Sequence, residues 1–391
     1  MPRPSNIIYR LMPGLMYQSG RRLGAPYRLG VMHRHLSYQI IGCASGASED
    51  AENPLLLHQG MPRFGSIKAS HVKPAVERLL ERQEAAIVAL EAECEALGSQ
   101  VTYDKVFVPM EQLLAPLSYA FGLASHLLAV KNSPEMRDAH AETQPLVVSA
   151  SSRVSQSEPL YHAMKAIQQN AKAGHAALDS GQMRAVEGGV RDAELGGVAL
   201  SGGAKVRFNE IKQRLAEIST AFSNNVLDST KQYEKTITDK SMLAGVPPST
   251  LALAAQNAGE GATVEEGPWK LTLDMPMLLP VMKFADDSAL REELYRANLT
   301  KASSGEHDNQ PLIEECLQLR AEMAGLLGYA DYASISTAEK MAQNPKAVVD
   351  MHAELREKAF PAAVRELEEL QAFTVENGGP SELRHWDVSY W

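Results

Sequence analysis

Eleven histidines, three cysteines and a few glycine pairs are the residues of this 391-residue chain that could do chemistry, and their spacing says which chemistry. A hydrolytic zinc helix needs two imidazoles one turn apart with a glutamate between them, because both rings must reach one ion. No two of the histidines stand four residues apart, so no helix can present such a pair. His352 and Glu354 form His-x-Glu, but no Pro-Cys-x-x-Cys follows, which excludes a zinc deaminase. Cys43, Cys94 and Cys316 are far apart and odd in number, and fit neither a disulfide framework nor a Cys-x-x-Cys metal site. The pairs Gly188-Gly189, Gly196-Gly197 and Gly202-Gly203 match no phosphate-binding loop and read as turns between helices. There is no Gly-x-Ser-x-Gly elbow for a serine hydrolase. On spacing alone the chain offers no catalytic, cofactor-binding or metal-ligating set.

The charge is unevenly placed. Residues 1–48 hold six arginines, no lysine and no acid, which leaves 32 basic against 48 acidic residues beyond them. A basic, acid-free leader on an acidic body is the pattern of an organellar transit peptide, expected over residues 1–50, with mitochondrion and chloroplast both open and a cytoplasmic extension the alternative. An acidic body argues against nucleic acid, whose phosphates call for clustered Lys and Arg. No run is expected to reach the ~20 apolar residues of a membrane span, so no membrane partner is expected.

The elements are mostly helical. Ser70 can cap a helix to about Leu97, with Pro74 in its first turn and Val72, Val76, Leu79, Ile87 and Leu90 as its apolar stripe. A second helix runs from Tyr103 to Val130, with kinks expected at Pro109 and Pro116. Ser133 caps a third. Phe208, Ile211, Leu215, Ile218 and Phe222 give a long core-lining helix one continuous seam. Trp269, Leu271, Leu273 and Met275 alternate with polar residues, the period of a half-buried strand. Helices resume to about Phe373, with a bend expected at Pro361, and Glu366, Glu368 and Glu369 read as a solvated face. The chain then closes on the aromatic "HWDVSYW", residues 385–391. The expected fold class is mostly α, a multi-helix bundle with one short strand element.

The stretch "VRDAELGGVALSGGAKVRFNEIKQRLAEISTAFSNNVLDSTKQYEKTITDK" resembles the signature region of the oligopeptidase A and thimet oligopeptidase family of zinc metallopeptidases. "NPLLLHQGMPRFGSIKASHVKPAVERLL", "HLLAVKNSPEMRDAH", "GPWKLTLDMPMLLPVMKFADDSALREELYRAN" and "LRAEMAGLLGYADYASISTAEKMA" are similar to the same family, in the same order. "HWDVSYW" looks like its Trp-Asp-x-x-aromatic-aromatic segment, in the plant organellar form. The resemblance runs from about residue 53 to the end. It implies an N-terminal helical domain over 53–256 that walls a peptide channel, and over 268–391 the start of a catalytic domain stopping short of the zinc motif. It also implies short unstructured peptides, such as cleaved targeting sequences, as partners and Zn²⁺ as cofactor. The family's His-Glu-x-x-His and downstream glutamate have no counterpart among the 391 residues, so catalytic, cofactor-binding and metal residues are all expected to be none, and the chain by itself inactive. The alternative is a non-catalytic short isoform or relic that binds peptides or partners. On the first reading the aromatic tail is an interior segment awaiting a partner from the missing half.

Overall fold

The computed structural model describes residues 53–57 and 60–391; the expected transit peptide and His33, His35 and His58 lie outside them. Twelve α-helices and two short strands follow among the described residues. The fold is mostly α, as the apolar periodicities require.

By compactness the chain forms two units. One gathers the chain up to Glu217 and takes in Glu322–Ala330; the other holds Ile218–Ala321 and Asp331–Trp391.

The first unit is built from α1 (Val72–Leu97), α2 (Tyr103–Val130), α3 (Pro134–Ser155), α4 (Glu158–Lys172) and α5 (Ser180–Leu195), with the start of α6 (Gly202–Gln232). Two apolar clusters hold it. Leu55, Val72, Val76, Leu79, Phe121 and Met136 join α1 to α2 and α3. Leu90, Phe107, Leu160, Ile167 and Val186 join the far end of α1 to α2, α4 and α5. Ser133 caps α3 as expected, its hydroxyl accepting from the Met136 amide. Ser70 does not cap α1: the chain enters through a 3-10 turn, Ala69–His71, and the His71 ring nitrogen accepts from the Lys68 amide. Pro109 and Pro116 lie inside an unbroken α2. That helix is long and apolar enough to cross a membrane by composition, contrary to the sequence reading. Here Val106, Phe107, Leu117, Phe121, Leu123 and Leu127 are core residues of the unit.

Gly188 and Gly189 are not a turn but an interior stretch of α5. A Cβ on Gly189 would sit 2.7 Å from the Met164 sulfur and 3.3 Å from the Phe107 ring. The missing side chain lets α5 approach both closely.

The second unit carries the strands. β1 (Glu234–Ile237) pairs antiparallel with β2 (Trp269–Thr272), Lys235 opposite Leu271 and Ile237 opposite Trp269. The alternation from Trp269 marks β2, and the strand stops at Thr272 because α8 begins at Met275. The sequence reading missed β1, whose inward side chain, Ile237, is too little for a visible period. α7 (Pro248–Ala258), α8 (Met275–Phe284) and α9 (Ser288–Thr300) close over the sheet around Trp269, Leu271, Met277, Val281, Leu290 and Leu294. α10 (Gln310–Leu326) and the short α11 (Tyr332–Ala338) lead to α12 (Pro345–Glu376), 32 residues long and unbroken at Pro361.

Candidate functional site

Five of the eight histidines among the described residues, His71, His126, His140, His162 and His385, have separate structural settings. His140 is the buried one. Its Nε2 lies 3.1 Å from the Ser125 hydroxyl and its ring stacks on Phe121. A serine–histidine contact becomes nucleophilic when a third group orients the ring, yet His140 Nδ1 is buried without a hydrogen-bond partner among the described residues. Burial holds this imidazole below its ordinary pKa, so it is neutral and fixed. His71 accepts from the backbone, His126 lies against Phe64, His162 against Tyr161 and His385 against Tyr295. Among the described residues no three His, Cys, Asp or Glu side chains are gathered to hold a metal ion. Cys94 is buried and its thiol is pushed up to about 11 by desolvation, then by neighbouring glutamates, which makes it inert.

A constellation of charged and aromatic groups forms where the aromatic tail meets α9. α12 ends at Glu376 with Asn377 as its C-cap, and Gly378 turns the chain with φ 81°, a conformation glycine adopts freely. The Gly379 amide closes the turn on the Thr374 carbonyl at 2.8 Å. Gln371 then staples the returning strand, donating to the Pro380 carbonyl at 3.2 Å and accepting from the Leu383 amide at 2.6 Å. Residues 384–391 coil on themselves, the Asp387 carbonyl accepting from the Tyr390 and Trp391 amides, both at 3.1 Å.

That coil delivers Asp387, Trp386 and Tyr390 to α9. Asp387, 2% exposed, receives a guanidinium hydrogen bond from Arg291, also 2% exposed. The Ser288 hydroxyl donates to the same carboxylate at 2.8 Å and accepts from the Trp386 indole at 3.3 Å. The Tyr390 ring lies over the Arg291 guanidinium, 4.1 Å from its centroid, and its hydroxyl donates to Asp286 at 2.8 Å. Arg291 also donates to the carbonyls of Ala285 and Asp286 just before the helix. Trp386 packs on the unit's core and under Arg296. The tail therefore docks on its own unit through Asp387 and Tyr390, while Trp386, Tyr390 and Trp391 stay half-buried. Arg291 is the reason: a buried arginine on α9 requires a carboxylate, and Asp387 supplies it. Sequence reasoning singled out the tail but missed Arg291, Ser288 and Asp286; an arginine beside Leu290 and Leu294 on a helix flank was the available signal.

Chemically this is an anchor. The Ser288 hydroxyl points its proton at a carboxylate already paired with Arg291, and the Tyr390 hydroxyl points its own at Asp286. The exposed feature nearby is α12 itself. Leu367, Gln371, Ala372 and Val375, with Glu368 and Glu376, line an open groove of about 640 Å³.

The neurolysin/thimet oligopeptidase N-terminal domain model matches residues 76–205, and the peptidase family M3 model matches residues 281–391. The chain belongs to peptidase family M3. Among M3 relatives it is 43% identical over 354 residues to a probable cytosolic oligopeptidase A of Arabidopsis thaliana, covering 88% of this chain and 49% of that protein. It is 42% identical over 347 residues to organellar oligopeptidase A, chloroplastic/mitochondrial, of the same plant, covering 87% and 43%. Oligopeptidase A of Salmonella typhimurium is 42% identical over 344 residues, covering 87% and 49%. The chain thus spans about half the length of the curated M3 relatives it matches.

Proposed function

We propose that this chain is the helical, peptide-admitting half of a zinc metalloendopeptidase of the oligopeptidase A type, acting on short unstructured peptides such as cleaved targeting sequences. The observation that carries this reading is the pair of family matches in the order N-terminal domain, then peptidase M3. Within it, residues 53–256 are proposed as the helical domain and 268–391 as the beginning of the catalytic domain.

A zinc ion of catalytic type takes three protein ligands and keeps one position for water, which it makes acidic enough to attack a peptide carbonyl. The described residues do not fit it: no three donors converge. No catalytic, cofactor-binding or metal role is therefore assigned to any residue of this chain, and the 391 residues alone are proposed to be inactive. Neither nucleic acid nor membrane is proposed as a partner. The location proposed is mitochondrion or chloroplast, on the basic leader and the 42% identity to the organellar relative.

The docked tail favours a second reading. That reading is a non-catalytic form that binds peptides or partners, with the Arg291–Asp387 pair as a purely structural anchor. Fusing the remaining half of the Arabidopsis organellar relative after Trp391 separates the two. The first reading expects chelator-sensitive cleavage of a quenched short peptide by the fusion. A folded, zinc-loaded fusion without cleavage would favour the second.

A further inference from the structure

We infer that α12 is an arm, hinged at residues 339–344 and latched at its far end by the Arg291–Asp387–Tyr390 cluster. The arm itself is barely held. Of its 32 residues Thr374 alone is buried among the described residues, while Val349, Leu355, Phe360, Val364 and Leu367 face solvent. It stays a helix by its own means: Asn344 caps it, accepting from the Ala347 amide, and Lys346–Asp350 and Lys358–Glu354 pair at i,i+4. A helix with almost no buried apolar contact keeps its last turns closed only while its far end is held, so release shows as local opening there.

Its attachments lie at the two ends. At the first, the chain turns out of α11 through Lys340 and Gln343, and Gln343 takes φ 63°, the left-handed region that a non-glycine residue rarely adopts. Such a turn is where a large φ/ψ change is absorbed. At the other, Gln371 and Thr374 grip residues 379–383, and the chain then docks through Asp387 on Arg291 and Tyr390 on Asp286. The cluster therefore decides whether the arm is held or swings. Hinge and latch belong to one compact unit, and the inference does not depend on any peptidase activity.

Hydrogen exchange on the full chain tests it, comparing the wild type with Asp387→Asn and with Tyr390→Phe. Asp387→Asn removes the charge at constant shape, and Tyr390→Phe removes one hydroxyl and leaves the ring. Exchange across residues 366–376 and 380–391 should rise together, at least tenfold in Asp387→Asn and severalfold in Tyr390→Phe, while β2 and α8 stay unchanged. If the tail alone exchanges faster and 366–376 keeps its rate, the latch does not govern the arm. The inference also falls if wild-type α12 already exchanges without protection. Should Asp387→Asn lose its far-UV helical signal, the Tyr390→Phe comparison decides by the same criterion.

Discussion

At the residue scale, His140 ties a single ring to the acid stability of the first unit. Its folded-state pKa is depressed by burial, so between its unfolded and folded values the unfolded chain binds a proton that the native chain refuses. Stability is therefore full above about pH 6.5 and falls as pH drops below it, with a slope of at most about 1.4 kcal/mol per pH unit from one group. Urea unfolding followed by far-UV circular dichroism at pH 8 and pH 5.5 should show this loss, and His140→Leu should reduce it. Arg291 and Asp387 make the second residue-scale prediction. Asp387→Ala leaves a buried guanidinium unpaired and should cost about 3–5 kcal/mol. The double variant Arg291→Met, Asp387→Ala should recover most of that. Trp269, Trp386 and Trp391, the chain's three tryptophans, all lie in the second unit, so tryptophan fluorescence reads that unit directly. Equal losses in single and double variants would show that the ion pair is not the source.

Elements were legible wherever one apolar period was long. The α6 seam is the clearest case: Phe208, Ile211 and Ile218 are buried and Leu215 and Phe222 half-buried, at the spacings that define it. α2 also starts at Tyr103 as expected, and α3 where Ser133 caps it. What the sequence hid has physical reasons. β1 is four residues with one buried side chain, too short to show a period. Gly188-Gly189 looks like a turn because a glycine's role in close helix packing depends on what lies opposite, here Met164 and Phe107. The tail's docking rests on Arg291, nearly a hundred residues away, and no local pattern reports such a pairing. Gly189 gives the test at this scale. Gly189→Ala should destabilise by about 1–3 kcal/mol through overpacking, whereas Gly188→Ala, beside open surface at 4.0 Å from the Arg191 side chain, should be neutral or mildly stabilising through helix propensity. Thermal unfolding of the two variants checks the contrast.

At the scale of the whole molecule, the chain is mostly helical and matches a neurolysin/thimet oligopeptidase N-terminal domain and peptidase family M3, and among the described residues no three His, Cys, Asp or Glu side chains gather to hold a metal ion. The leader belongs here too. Protein isolated from its own cells should begin between about residues 35 and 55, where the arginine-rich, acid-free stretch gives way to Glu49 and Asp50. A mature protein that keeps Met1 would remove the organellar proposal and leave the peptide proposal standing. Of the candidate site only the tail was legible in the sequence, because Arg291, which anchors Asp387, lies nearly a hundred residues away. The most direct measurement is the zinc content of the purified 391-residue chain, taken alongside its hydrolysis of a quenched short peptide with and without added zinc. The account predicts zinc far below one equivalent after dialysis and no cleavage in either condition. One tightly held zinc per chain, with cleavage that a chelator abolishes and contaminating proteases excluded, would contradict it.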